Sequence, residues 1–385
     1  MKKLLILGAS AIQVPIIVKA KELGFLTLVV DFNPEAPGMA LADKAVLLST
    51  NDIPGVVNLA MAEKIDGILT TSDFPVRTVA AVGEALSLPV LSPRAAEICT
   101  DKYLQRELLA KAGLPCPRFL KLEAGAALTE ASSLVFPVIV KPVDSSASRG
   151  VQKVRDRSAL PDAVAFARSY SRSGAVIVEE FVHGREFSVE VLIQDGAVHI
   201  PAITEKTTSG SGESFFVEVR HVIQANLTAK ERAAILGTVE TAVLAAGLDH
   251  CASHTEVMLT AQGVVIIEIA ARLGGDFITS DLVPLATGVD MGRNVIRMAL
   301  GEPLEPQPLW SRFSGIQFIT PDLHPTSSTY LESIQGDHRV VRWERDALPG
   351  GPELRSSLDR SGYLIAVADS RESLSEILDM ERNTL

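Results

Sequence analysis

The sequence predicts an α/β fold, and three observations carry that prediction. Residues 1–95 alternate short apolar runs with helical stretches, the order expected of a parallel sheet covered on both faces. Hydrophobic residues make up 47% of the 385-residue chain but aromatic ones only 5%, so the cores are built from Ala, Val, Leu and Ile, as in layered α/β proteins. The second half then carries strands of period two punctuated by tight-turn signals.

The elements follow in order. LLILG, FLTLVVD, AVLLS and GILTT are strands in the first 95 residues, with helices between them, one near Val56 to Lys64. Residues 96–118 belong to a mostly helical linker, with Asp101 near the start of a turn and Gly113 as a C-cap. Residues 119–187 read as a small mixed domain: strand VFPVIVKP, polar loop DSSASRG, helix PDAVAFARSY and strand AVIVEEF. From 188 to 301, REFSVEVLIQ and AVHIPAI flank Asp195-Gly196, a two-residue hairpin signal. A long helix, ERAAILGTVETAVLAAGL, precedes a second hairpin and a further helical stretch. Residues 302–385 read as a separate α+β unit with strands RVVRWE and SGYLIAVA and a last helix, SRESLSEILDME.

A chain of this length holds two or three domains. The net charge of -11 and the lack of any basic run exclude nucleic acid as the expected partner. No stretch has the apolar length of a membrane span, and the basic, apolar start MKKLLILGASAIQVPIIVKA reads as a strand, turn and helix rather than a leader. Cys99, Cys116 and Cys251 are dispersed, without a disulfide pattern, which points to a reducing, cytoplasmic setting.

The most informative feature is the second hairpin, HTEVMLTAQGVVIIEIAARLGG. Glu256 and Glu268 lie twelve residues apart, with their midpoint, Gln262, in a three-residue turn of Ala261, Gln262 and Gly263. Symmetric pairing sets the carboxylates opposite each other with Cβ atoms roughly 5 Å apart, an arrangement that calls for a cation between them. Mg²⁺ carrying a phosphate chain meets that need. Lys141 shares a strand face with Ile139, either at an exposed sheet end or reaching into a cleft. Residues Asp144 to Gly150 after it are either an ordinary serine-rich turn or a phosphate cradle of Ser145, Ser146, Ser148 and Arg149. In VIVEEFVHGREF, Glu179, Glu180, Phe181 and Val182 lead to Glu186; this is either a solvated strand edge or a segment facing an adenine, with Glu186 accepting from sugar hydroxyls.

Arg272 follows Glu268 by four residues and suits a carboxylate or a phosphoryl group, with Gly274 and Gly275 allowing close backbone approach; the alternative is a salt bridge beside a plain turn. Lys206, Glu218 and His221 flank TTSGSGES, a run suited to covering a cleft. His221 meets either a ligand or a backbone carbonyl. His254 shares a face with Glu256 and can orient it. LLILGASAIQ lacks two glycines of GxGxxG, so Gly8 need only make a tight turn.

Taken together, these residues resemble the ATP-grasp superfamily of carboxylate–amine ligases over residues 1–300, and within it the dipeptide-forming L-amino-acid ligase branch. The resemblance implies an ATP-grasp fold preceded by an open parallel α/β domain and followed by a small α+β unit. It implies that Lys102 and Lys141 contact ATP phosphates, that Ser145 to Gly150 fold over them, that Glu179 to Val182 form the adenine hinge and that Glu186 holds ribose. Lys206 and His221 join the cofactor-binding set. Glu256 and Glu268 would bind one or two Mg²⁺ ions, with Mn²⁺ as a substitute, and Arg272 with Lys141 would act in catalysis. Many members carry an asparagine two residues after the second glutamate; here Ala270 stands there and cannot coordinate. The implied partners are a small carboxylate and an amine, joined through an acyl phosphate, and a second copy of the chain. Rival readings are a purine-pathway enzyme using formate or bicarbonate, a biotin-dependent carboxylase, a nucleotide-binding module without turnover and, last, a dehydrogenase.

Overall fold

A computed structural model describes residues 1–125, 133–146, 148–209, 217–320, 334, 336–345, 354 and 357–379. Among the described residues the strands form three sheets. The first is parallel, in the order β3-β2-β1-β4, from β1 (Lys3–Leu7), β2 (Leu26–Asp31), β3 (Lys44–Leu47) and β4 (Gly67–Thr70). Leu5 and Leu7 face one core with Val56, Val79 and Val82, while Leu4 and Ile6 face another with Ile17, Val295 and Ile296. This is the two-faced burial that near-continuous apolar strands require.

The second sheet is antiparallel, in the order β5-β8-β6-β7, from β5 (Phe119–Leu122), β6 (Val138–Pro142), β7 (Gln152–Val154) and β8 (Val176–Glu180). Val138, Val140, Val176 and Val178 pack on the helix Leu160–Ser169 through Leu160 and Val164. Alternation sends Ile139, Lys141 and Glu179 to the opposite face.

The third and largest sheet runs β13-β12-β9-β10-β11-β14-β16-β15. Its strands are β9 (Arg185–Gln194), β10 (Ala197–Thr208), β11 (Glu218–Ile223), β12 (Cys251–Thr260), β13 (Gly263–Ala270), β14 (Phe313–Phe318), β15 (Val340–Arg345) and β16 (Gly362–Ala368). Asp195 and Gly196 turn β9 into β10 with φ of 53° and 73°, the left-handed pair of a two-residue hairpin. The expected break at 187/188 falls inside β9, whose polar start, Arg185-Glu186, reads in sequence as the end of a neighbouring element. The C-terminal strands do not make a sheet of their own. β14 pairs with β11, so they extend the large sheet, and the helix Arg371–Leu378 packs beneath them through Leu374 and Ile377. The run 207–214, expected to cover a cleft, lies from 210 onward outside the described residues. No helix among the described residues is long and apolar enough to cross a membrane.

Candidate active site

The glutamate hairpin forms one wall of a cleft of about 960 Å³ whose opposite wall is the second sheet. Glu256 does sit opposite Glu268, but not through a symmetric three-residue turn. Thr260 pairs with Gly263 across a two-residue turn, and the register then slips by one between Val257↔Ile266 and Glu256↔Glu268. Ile267 is the extra residue. A bulge places consecutive side chains on one side of a strand, and both Ile267 and Glu268 line the cleft. β13 is the edge of the large sheet, and its free backbone groups are taken up by the helix Lys102–Lys111. Gln105 accepts from Ile269 N at 2.9 Å and donates to Ile269 O at 2.9 Å, while Arg106 Nη2 donates to the bulge carbonyl of Ile267 at 2.6 Å. Asp101 caps that helix by accepting from Tyr103 N and Leu104 N. The same helix aims Lys102 Nζ at Glu268 Oε1, 3.0 Å away, and at Ser145 O, 2.8 Å away.

On the facing wall, Lys141 and Ile139 both line the cleft, which settles the choice between sheet end and cleft. Lys141 Nζ lies 2.8 Å from Glu179 Oε2, and Arg106 Nε lies 2.7 Å from Glu179 Oε1. Burial opposes charge on Glu179, but the two cations outweigh it and hold its pKa at about 2. Burial, with Arg106 and Lys102 nearby, lowers Lys141 despite the attraction of Glu179. Sequence reasoning missed Arg106, which reads as one more exposed charge on a helix.

Beneath the hairpin, Lys206 Nζ is gripped by Glu186 at 3.0 Å, Glu218 at 3.1 Å and Glu256 at 2.7 Å. Burial disfavours its charge, yet the three carboxylates raise its pKa well above the ordinary lysine value. Burial and the neighbouring glutamates lift Glu186 against the pull of Lys206. Glu256 is held well below its ordinary value by Lys206 and His254 against the cost of burial. His254 Nδ1 is 2.6 Å from Glu190 Oε1 and its Nε2 is 3.7 Å from Glu256 Oε1; against burial, Glu190 raises its pKa to about 9. His254 thus lies beside Glu256, on the strand face its position suggested.

Gly274 packs against this pair. A Cβ there would lie 2.7 Å from both Glu190 Oε2 and His254 Nδ1. Gly274→Ala is expected to cost about 1–3 kcal/mol in urea unfolding by overpacking a rigid site, whereas Gly275→Ala, with nothing among the described residues within 4 Å of its added methyl, is expected to be near neutral.

Comparison with known proteins fits this geometry. Residues 134–281 match the family model described as "ATP-grasp domain". This segment of the chain is an ATP-grasp domain. The fold as a whole is similar to the crystal structure of the L-amino acid ligase from Bacillus licheniformis, with a TM-score of 0.81 and 26% identity, covering 100% of this chain and 97% of that one. The uncharacterised protein y4rH of Sinorhizobium fredii is 29% identical over 327 residues, 82% of this chain and 66% of its own. The formate-dependent phosphoribosylglycinamide formyltransferase of Solidesulfovibrio magneticus is 31% identical over 196 residues, 50% of this chain and 49% of its own. The chain therefore spans less than two thirds of the length of either curated relative.

The ATP-grasp cleft gathers most of the residues singled out from sequence. Lys102, Lys141, Ser145, Ser146, Ser148, Arg149, Glu179, Glu180, Phe181, Val182, Glu186, Glu256 and Glu268 all line it. Four do not. Gly150 packs beside Tyr170 at φ 75°, shaping the loop from outside. Lys206 lies behind the carboxylates it neutralises. His221, 1% exposed, stacks edge-on against Phe318 with Nε2 3.7 Å from Asp276 Oδ2. Arg272 is held by Asp73 of the loop after β4, with Nε–Oδ1 at 2.9 Å and Nη2–Oδ2 at 3.2 Å. Against burial, Arg272 lowers the pKa of Asp73. Asp73 was not foreseen, because a lone aspartate in TSDFP carries no pattern.

The donor set suits Mg²⁺. Two carboxylates face the cleft from paired positions, and Ala270 at the third is buried and bears no donor. Mg²⁺ typically takes one or two carboxylates and completes its octahedron with water and phosphate oxygens.

Proposed function

We propose that the protein is an ATP-dependent carboxylate–amine ligase that joins an amino acid or similar small carboxylate to an amine through an acyl phosphate. The observation that carries this reading is the single cleft in which Glu256 and Glu268 face each other below Lys102, Lys141 and the Ser145–Gly150 loop. Phe181 and Val182 would present their backbone to adenine, with Ile139, Met258 and Ile267 as the apolar walls, and Glu186 would accept from the ribose hydroxyls. Mg²⁺ bound by Glu256 and Glu268 would neutralise charge on the phosphates. Lys102 and Lys141 would take up the remaining phosphate charge and align the chain, so that the protein contributes position and electrostatics rather than a covalent step. The substrate carboxylate oxygen attacks the γ-phosphorus, the β–γ bridging bond breaks, and ADP leaves. The amine nitrogen then attacks the acyl carbon, loses a proton, and inorganic phosphate departs. Arg272 would steady the acyl phosphate from its mooring on Asp73.

The likeness to the formyltransferase raises a second reading, with a ribonucleotide amine as acceptor. The neighbouring cavity of about 1010 Å³, between the first sheet's loops and residues 273–280, weighs against it. Among the described residues its one basic lining side chain is Lys19, already 3.1 Å from Asp290 and 3.4 Å from Glu22. A sugar phosphate needs free donors there. Ala11, Ile12, Pro15, Ile16 and Phe277 instead offer an apolar wall suited to an amino-acid side chain.

The test is ADP release from Mg²⁺–ATP across amino acids and small carboxylates, singly and in pairs, with mass detection. A pair-dependent product lighter by one water than its two substrates is expected. Turnover only with formate or bicarbonate and a ribonucleotide amine would replace this reading with the second, and ATP binding without any product would leave a binding module.

A further inference from the structure

The loop after β4 reaches past its own domain. Gln13, 1% exposed, donates to Thr71 Oγ1 at 3.1 Å and Ser72 Oγ at 2.9 Å, and Asp73 grips Arg272 with both oxygens. The loop is thus fixed at three consecutive residues, and between these anchors and Pro75 it presents Phe74. The Phe74 ring centroid lies 5.1 Å from the guanidinium carbon of Arg149 and 4.5 Å from that of Arg172, both within cation–π range. The two arginines belong to one knot. Asp144, which opens the phosphate loop, accepts from Arg172 N at 3.1 Å, Ser173 N at 2.8 Å and Ser171 Oγ at 2.9 Å. Arg149 closes the same loop, with Nε donating to Ser146 O at 3.1 Å, and lines the nucleotide cleft. Its side chain is exposed, and among the described residues the ring and Ser146 set its direction.

We propose that Phe74 is a positioning residue for nucleotide binding: an aromatic anchor on the first domain that docks the phosphate loop by holding Arg149 and Arg172. The proposal rests on the nucleotide reading of the cleft. Phe74 does not line the nucleotide cleft itself. Its place in the same loop as Thr71, which lines the second cavity, means that docking of the phosphate loop and the shape of the acceptor cavity are set by one short segment. An open phosphate loop would admit water to the acyl phosphate, and an aromatic latch on the substrate side is a direct way to keep it shut.

The test is calorimetric titration of the full chain with Mg²⁺–ATP. Phe74→Leu, which keeps an apolar side chain but removes the ring, is expected to weaken binding roughly three- to tenfold, the scale of one or two partly exposed cation–π contacts. Phe74→Tyr is expected to bind within about twofold of the unchanged chain, since the ring is retained. Arg149→Ala weakens binding too, and Phe74→Leu added to it is expected to weaken it further by less than it does alone, because the two act through one contact. If Phe74→Leu fails to fold, Arg149→Lys, which gives up the planar guanidinium but keeps its charge, probes the same contact and is expected to weaken binding in the unchanged background. Unaltered affinity in Phe74→Leu, fully additive losses in the pair, or equal damage from Tyr and Leu would overturn the proposal. Failure of the unchanged chain to bind Mg²⁺–ATP would instead sink the nucleotide reading, and this proposal with it.

Discussion

Glu268→Gln is expected to fold normally and to lose at least about a hundredfold in ADP-forming turnover, the scale on which charge-stabilising groups act. The substitution keeps the side chain's shape while removing the charge opposite Glu256 and beside Lys102. Two effects combine. A carboxamide is a poor Mg²⁺ ligand, and Ala270 leaves no third protein donor in this hairpin to compensate. Lys102, freed of its counter-charge, would still attract the phosphate chain, so nucleotide affinity falls by less than turnover does. The side chain is 24% exposed, so global stability in urea changes little. Steady-state ADP release at ordinary Mg²⁺ checks this, and near-normal turnover would remove the metal assignment.

The largest stability effect is expected at Glu179. Its carboxylate sits between Arg106 and Lys141, with side-chain exposures of 3%, 1% and 7% respectively. Glu179→Leu leaves both cations buried without a counter-charge, a change that costs about 3–5 kcal/mol in comparable buried pairs. Urea unfolding at neutral pH measures it. The loss should depend on pH in a defined direction. The folded pKa, about 2, lies below the ordinary value of 4.5, so Glu179 stabilises the fold fully above pH 4.5, and the contribution fades as pH falls toward 2. The gap between the two proteins should therefore narrow over that acid range. A constant gap would mean that packing, rather than charge, sets the cost.

Period-two reading placed Glu256 opposite Glu268, and so does the structure, though by another route. A turn one residue shorter than expected is offset by the one-residue bulge at Ile267, and a bulge inside VVIIEIA leaves no local mark in sequence. Lys141 was legible because a lysine closing an apolar strand needs a reason. Arg106 and Asp73 were not, since each meets its partner only through distant packing of a helix or a loop. His221 shows the limit of side-chain type as evidence: it pairs opposite Lys206 in the sheet, yet faces Asp276 rather than the cleft. β14 was missed because FSGIQF alternates poorly and sits behind a stretch of prolines and turns, so only pairing with β11 and β16 makes it a strand. That omission is also why the C-terminal strands read as a separate unit.

In the proposed reaction a carboxylate is activated by phosphoryl transfer before the amine attacks. An oxygen-18 label in both carboxylate oxygens of the acid substrate, in a substrate pair that supports turnover, tests it most directly. One labelled oxygen is expected in the inorganic phosphate for each amide formed, because the acyl phosphate's bridging oxygen comes from the substrate and leaves with phosphate. Amide formation with unlabelled phosphate would rule out an acyl phosphate on the path.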